Sequence, residues 1–150
     1  MKIYLATDHA GFELKEKLKG YLQSKGYEIE DFGAHQFDKE DDYPDFISKA
    51  AGAVSKDPNS KAIILGGSGQ GEAMVANKFP NVRAVVYYGN MDMISLTREH
   101  NDANILSLGA RFLTEGEAME AVKLFLETPF IEEERHVRRI EKIKKIEEAL

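Results

Sequence analysis

Residues Ala62 to Lys78 read AIILGGSGQGEAMVANK. The apolar run AIIL (Ala62–Leu65) has strand character, and a helical pattern begins at Glu72. Between them stand four glycines, a serine and one glutamate. A short buried strand that enters a helix through a glycine-rich turn is the repeating unit of an open α/β sheet, so this stretch predicts fold and site together.

The rest of the chain extends the same alternation. KIYLAT (Lys2–Thr7) reads as a strand, and Phe12 to Lys25 places Phe12, Leu14, Leu18, Tyr21 and Leu22 on one helical face. YEIEDF (Tyr27–Phe32) alternates like a strand after the helix stop Gly26. Asp42 to Lys56 is helical, Val82 to Tyr88 is a strand, and Asn90 to Asn101 is a helix. NILSLG contains a fifth strand, Glu115 to Glu127 is a helix, and a charged segment from Ile131 to Leu150 carries an apolar stripe at Ile140, Ile143 and Ile146. The expectation is a single domain over residues 1–150: a doubly wound, three-layer α/β sandwich with about five parallel strands, Rossmann-like or flavodoxin-like in order. An extra C-terminal helix either caps the sheet or crosses onto a second subunit.

Composition narrows the function. A formal charge of −6 argues against a general nucleic-acid binder. The absence of cysteine removes disulfides, thiolate metal sites and a cysteine nucleophile. No apolar run approaches the roughly 20 residues that span a bilayer, and the opening MKIYLATDHAG lacks the apolar core of a signal peptide. A cytoplasmic protein with neither membrane nor nucleic-acid partners is expected.

In such sheets ligands sit at the carboxyl ends of the strands. Asp8, His9 and Gly11 follow the first strand, the glycine loop with Ser68 and Glu72 follows the third, and Gly109 and Arg111 follow the fifth. The loop is not a dinucleotide fingerprint in the usual place, which is after the first strand with an acidic residue about 20 positions on. It also lacks the Gly-Lys-Ser/Thr of a Walker loop, and Gly66 stands where a phospho-receiver would carry its aspartate. An anion site remains, in which the amides of Gly69, Gln70 and Gly71 face negative charge or a developing oxyanion. The plainer reading, a tight turn with Glu72 complementing the helix dipole, stays open at this point.

Other candidates have equally plain alternatives. Asp8 suits an N-cap, and Asn101 and Asn104 suit C-caps. Arg135 and Arg139 lie one helical turn apart, a spacing that grips one phosphate, yet Glu132–Glu134 could balance them as a solvated charge run. No histidine pair has metal-ligand spacing, so no metal is expected.

Taken together, DHAG (Asp8–Gly11), DYPD (Asp42–Asp45), the glycine loop, REHNDAN (Arg98–Asn104), LGAR (Leu108–Arg111) and RHVRRI (Arg135–Ile140) resemble the ribose-5-phosphate isomerase B and galactose-6-phosphate isomerase family. The likeness runs in order from Asp8 to about Ile143. Many members of that family carry a catalytic cysteine where this chain has Gly66. GGSGQGE resembles the branch that uses a glutamate in the loop as base, with Glu72 in that position.

The resemblance implies an aldose–ketose isomerase working through an enediolate. Glu72 would move the proton between C2 and C1. Ser68 and the loop Gly67, Gly69, Gln70 and Gly71 would hold substrate and oxyanion, assisted by Asn101. His100 would open the sugar ring, with Asp8 handling the partner proton. His9, Arg111, Arg135 and Arg139 would bind the phosphate, and Tyr43 would line the pocket. No cofactor is implied.

His100 and Asn101 close the helix before the fifth strand, at the wrong end of a single-subunit arrangement. The family's dimers, with active sites between subunits, would resolve that misfit through a homodimer with shared sites, which could pair further into a tetramer. A hexose 6-phosphate isomerase (allose or galactose), a catalytically silent sugar-phosphate sensor and a flavin or nucleotide module are the rivals. Intact Glu72, Ser68 and His100 speak against the sensor. Whether the helix N-terminus lowers the pKa of Glu72 or burial raises it is open in the sequence.

Overall fold

The computed structural model describes all residues, 1–150. In chain order the elements are β1 (Lys2–Thr7), a 3-10 turn (His9–Gly11), α1 (Phe12–Ser24), β2 (Glu28–Asp31), α2 (Tyr43–Lys56) and β3 (Lys61–Gly66). There follow α3 (Gln70–Ala76), β4 (Ala84–Tyr87), α4 (Met91–Asn101), β5 (Ile105–Gly109), α5 (Glu115–Glu127) and α6 (Glu134–Glu148). All strand pairs are parallel, in the order β2-β1-β3-β5-β4.

Period-two alternation divides the strands between two apolar layers. Ile3, Leu5, Ile63, Leu65, Leu106 and Leu108 pack with Leu18 and Leu22 of α1, Ile94 of α4 and Phe125 of α5. Tyr4, Ala6, Ala62, Ile64 and Ile105 pack on the other face with Ile47, Ala50 and Val54 of α2 and Ala76 of α3. Ser107 interrupts the apolar run of β5 because it points beneath the glycine loop, where its hydroxyl donates to the Gly69 carbonyl at 2.7 Å.

The strand order begins as the flavodoxin-like 2-1-3 and then departs from both simple orders, since β5 lies inside β4. Burial gives the reason. Every residue of ILSLG is buried, whereas Ala84, Val85 and Val86 of β4 are only half-buried. The fully apolar strand takes the central place and the other takes the edge. The chain therefore reverses direction twice, and α3 and α4 lie on opposite faces as right-handed crossovers require.

Other expectations shift locally. Helix α3 begins at Gln70, two residues before Glu72, because Gly69 takes φ 78° and turns the chain directly into the helix. The cap of α4 is Asp102 in the left-handed region rather than an asparagine. Asn104 instead accepts from Arg83 N at 2.7 Å and donates to the Asn81 carbonyl, tying the starts of β4 and β5 together. Helix α6 packs on its own subunit: Ile131 N donates to the Glu99 carbonyl ahead of it, and Glu147 accepts from Asn81 N near its end.

One buried ion pair sets the first turn of the site. Lys15 is fully enclosed and donates to both Asp31 oxygens at 2.9 and 2.8 Å and to the Ala34 carbonyl. Asp31 also accepts from Gly33 N at 2.8 Å, so the end of β2 is pinned where the chain leaves for the segment containing Asp41. Burial alone would push the Asp31 carboxyl up, but Lys15, Gly33 N–H and Lys19 hold it below the usual aspartate range.

Candidate active site

The topology reverses between β1 and β3, where α1 leaves on one face and α2 arrives on the other. Loops from these two strands diverge and leave a crevice at their carboxyl ends. A cleft of about 480 Å³ occupies it, lined by Asp8, His9, Tyr43, Gly67, Ser68, Gly71, Glu72, Arg111 and Phe112 among others. The structure thus brings together eight of the residues singled out in the sequence, from four separate segments.

Glu72 is buried, in the first turn of α3. Its carboxylate folds back over the Cα of Gly66. A Cβ added at Gly66 would overlap Oε1 and the carboxyl carbon and stand 2.7 Å from Oε2. Gly66 and Glu72 therefore depend on each other: a side chain at the end of β3 and this carboxylate claim the same volume. Burial dominates the electrostatics and raises the Glu72 pKa above the ordinary carboxylate value. The Glu72 and Gly69 amides oppose the rise, and the nearby charge of Asp8 reinforces it. That is the environment of a proton acceptor that also releases its proton.

Around it the chain is cut to fit. Tyr43, at the start of α2, lays its ring against Gly71, where any Cβ would overlap the phenol oxygen and stand 2.6 Å from Cζ. Ser68 accepts from Gln70 N at 3.3 Å, and the Gln70 side chain donates to the Tyr88 hydroxyl at 2.8 Å. Gln70 points at Tyr88 and does not line the cleft, and Gly69 is buried against Ser107 and the end of β5. Asp8 accepts from Ala10 N at 3.0 Å, so it is both the cap of the 3-10 turn and a wall of the cleft.

Arg111 and, when protonated, His9 supply positive charge to this space. The His9 ring bonds through Nδ1 to Asp41 Oδ1 at 2.7 Å, and its main-chain N–H donates to the same oxygen at 3.0 Å. The hydrogen bond to Asp41 raises the His9 pKa. Burial opposes it, Asp8 adds to it, and Arg111 lowers it. Asp8, His9 and Asp41 each bring one possible metal-ligating atom within 4.8 Å of the others. Within this group His9 Nδ1 bonds Asp41 Oδ1, and Asp8 Oδ1 accepts from Ala10 N.

The remaining predicted residues lie elsewhere. β3 and β5 pair from Ala62↔Ile105 to Gly66↔Gly109. His100 and Asn101 precede the first pair, and Ser68 and Glu72 follow the last. Four steps of strand separate the two sets by about 13 Å before the loops are counted. At the far end, His100 stacks on the buried His136, with ring centroids 4.4 Å apart and planes inclined by 30°. His136 is held by the Ile131 carbonyl at 3.0 Å and accepts from Arg135 Nε at 3.3 Å. Arg138 is paired with Glu134, whereas Arg139 has no ion-pair partner and is exposed. His100 and Arg135 thus meet at His136, away from Glu72, with Asn101 and Arg139 on the same two helices, α4 and α6.

Three residues escaped the sequence reading. Asp41 is one of six charged residues between Asp38 and Asp45 that look like solvated surface or turn. His136 sits among arginines that draw the eye, and only tertiary packing buries it. Phe112 follows LGAR with no periodic signal, yet it lines the cleft and meets Tyr88 edge-on at 5.9 Å.

Fold and cleft define a doubly wound α/β protein equipped for acid–base work on a small anionic molecule. The chain belongs to the ribose/galactose isomerase family, whose pattern matches residues 3–143. It is 43% identical over 141 residues to ribose-5-phosphate isomerase B of Mycolicibacterium paratuberculosis, covering 94% of this chain and 88% of that protein. The structure of ribose-5-phosphate isomerase B from Mycoplasma genitalium with bound ribulose-5-phosphate superimposes with a TM-score of 0.95 at 37% identity, covering 99% of this chain and 97% of that one. The Clostridium thermocellum ribose-5-phosphate isomerase B gives 0.93 at 41% identity, with 99% of each chain covered.

Proposed function

We propose that the chain, as a single catalytic domain acting in the cytoplasm, interconverts D-ribose 5-phosphate and D-ribulose 5-phosphate through an enediolate. The observation that carries this reading is Glu72: a buried carboxylate with a raised pKa, folded over Gly66 in a cleft flanked by His9 and Arg111. The 43% identical relative and the ribulose-5-phosphate bound to the Mycoplasma protein support the choice of substrate.

In the forward direction His100 and Asp8 exchange the protons that open the furanose ring. Glu72 takes the proton from C2, the pair of electrons from that bond moves to form the C1–C2 double bond, and the carbonyl oxygen at C1 gains negative charge. Ser68 Oγ–H and the Gly71 amide, both on the cleft wall, stabilise that charge. A proton moves from the C2 hydroxyl to O1, and Glu72 returns its own proton to C1. His9, Arg111, Arg135 and Arg139 hold the phosphate, and Asn101 and Tyr43 position the carbon chain.

A homodimer completes the site by placing the His100 cluster of one subunit opposite Glu72 of the other. A largely apolar groove of about 390 Å³ supports it. Val85, Val86, Tyr88, Met93 and Leu96 line this groove on the edge strand and α4, and it reaches Asn101. Tyr88, Met93 and Leu96 are exposed there in the single chain, as expected of a surface that a partner covers.

Turnover of ribose 5-phosphate, measured with and without a chelator, tests the activity. Glu72→Gln is expected to lower kcat by at least about a hundredfold with substrate affinity kept. Mixing Glu72→Gln with His100→Ala subunits should restore activity in hybrid dimers, since each hybrid retains one intact site. No recovery once hybrids have formed would refute the shared site.

A further inference from the structure

The segment between β2 and α2 contributes one residue to the cleft's chemistry without lining the cleft itself. Asp41 grips His9 twice through Oδ1, at the ring Nδ1 and at the main-chain N–H. Its side chain is only 10% exposed, and its Oδ2 is buried with no hydrogen-bond partner. A fold that buries a carboxylate oxygen without a partner accepts a cost, which a fixed cation beside it offsets.

With Nδ1–H donated to Asp41, Nε2 is the ring nitrogen left for a ligand. His9 lines the cleft together with Arg111, and the two cations are close enough for Arg111 to oppose protonation of the ring. Phe37 packs edge-on to the ring at 6.0 Å and fixes its plane from the outer side.

We propose that Asp41 is a positioning residue for the phosphate: it locks His9 as an imidazolium whose Nε2–H, beside Arg111, donates to a phosphate oxygen. This rests on the reading of His9 as a phosphate contact. Three charged groups face the ring, and they divide by sign: Asp41 and Asp8 favour its protonated form, while Arg111 disfavours it. The balance lies with Asp41, so the histidine stays charged above its ordinary pKa of about 6.5. A phosphate monoester is then met by two cations at the pH where it is itself mostly dianionic.

The test uses the whole protein, inorganic phosphate as probe, and Asp41→Asn. The amide keeps an oxygen for the His9 main-chain N–H and removes the charge. Ring NMR of the four histidines follows His9 across pH 5–9, with and without phosphate. Wild-type His9 should titrate above about 6.5 and shift when phosphate binds. In Asp41→Asn the titration should fall back toward 6.5. At a pH between the His9 midpoints of the two proteins the KM for ribose 5-phosphate should rise by up to about tenfold, the low end for a lost charge-assisted hydrogen bond, and the excess should shrink at more acid pH, where both proteins carry His9 protonated. The loss should fall on KM rather than kcat. A merely structural role would weaken binding equally at every pH.

If phosphate leaves wild-type His9 unmoved, the phosphate reading fails and takes this inference with it. If phosphate moves His9 but Asp41→Asn changes neither its titration nor the pH dependence of KM, the role of Asp41 alone is overturned. Should the variant not fold, the wild-type titration still decides: a His9 pKa at or below 6.5 refutes the lock.

Discussion

Gly66→Ala adds one methyl group, and it falls where the Glu72 carboxylate lies. The new Cβ would overlap Oε1 and the carboxyl carbon and stand 2.7 Å from Oε2, with an ordinary contact beginning at 3.4 Å. Gly66 ends β3, whose backbone is fixed by pairing with β1 and β5, so the flexible end of Glu72 must give way. Clearing the overlap displaces the carboxylate by about 1–2 Å, and a misplacement of that order costs about a hundredfold in rate. Glu72 moves within a cleft rather than into the core, so the fold should persist. Initial rates of ribose 5-phosphate isomerisation should therefore show kcat down about a hundredfold, with KM changed far less. The decisive comparison is the double variant with Glu72→Gln. If the methyl group acts only by displacing the base, adding it to a protein that has already lost the base should change little, so the two effects should not add. Near-normal turnover in Gly66→Ala, or full additivity in the double variant, would refute the geometry.

Glu72 should also be a liability to the fold. Its pKa is raised on folding, so folding disfavours its charged form. This cost is absent below the unfolded pKa of about 4.3, grows as pH rises through the folded value, and is complete above it. Glu72→Gln should raise the melting temperature at pH 7–8, by about 2–4 °C for each kcal/mol relieved at this chain length, with the gain vanishing near pH 4. Lys15→Met leaves the buried Asp31 carboxylate with only Lys19 and the Gly33 N–H and should destabilise by about 3–5 kcal/mol in urea unfolding. A loss below about 1 kcal/mol would show that Lys19 and Gly33 suffice. Because Asp31 is held below its usual range, the pair's contribution should be present above the ordinary aspartate pKa and lost as pH falls through the lowered one. His136→Ala removes the ring under His100 and should cut kcat/KM by about tenfold, in line with the strength of a stacked pair. His136→Phe keeps a ring there and should retain more activity, and equal losses in the two would refute the stacking role.

Much of the fold was legible because it depends on local pattern. Apolar alternation in KIYLAT, AIIL and NILSLG, with helical periodicity between them, marks the strands and helices to within one or two residues. The edge position of β4 was not, although its cause is in the sequence. AVVY and ILSLG look alike as strings, and their order follows from which is buried on both faces once five strands compete for the centre of one sheet. The glycine loop was legible as a site since several glycines before a helix have few other uses. That the Glu72 carboxylate turns inward, over Gly66, was not legible there.

The sequence by itself determined the element order, the residue types at the carboxyl ends of β1, β3 and β5, and a family likeness that the whole-chain comparison bears out. Tertiary structure decided the electrostatics. Burial, not the helix N-terminus, governs Glu72. Asp41, more than thirty residues from His9 in the chain, controls that ring, and His136 supports His100 from a separate helix. The physical reason is the same in each case. A pKa or a ring orientation depends on desolvation and on contacts between distant segments, and these exist only once the chain has closed around them.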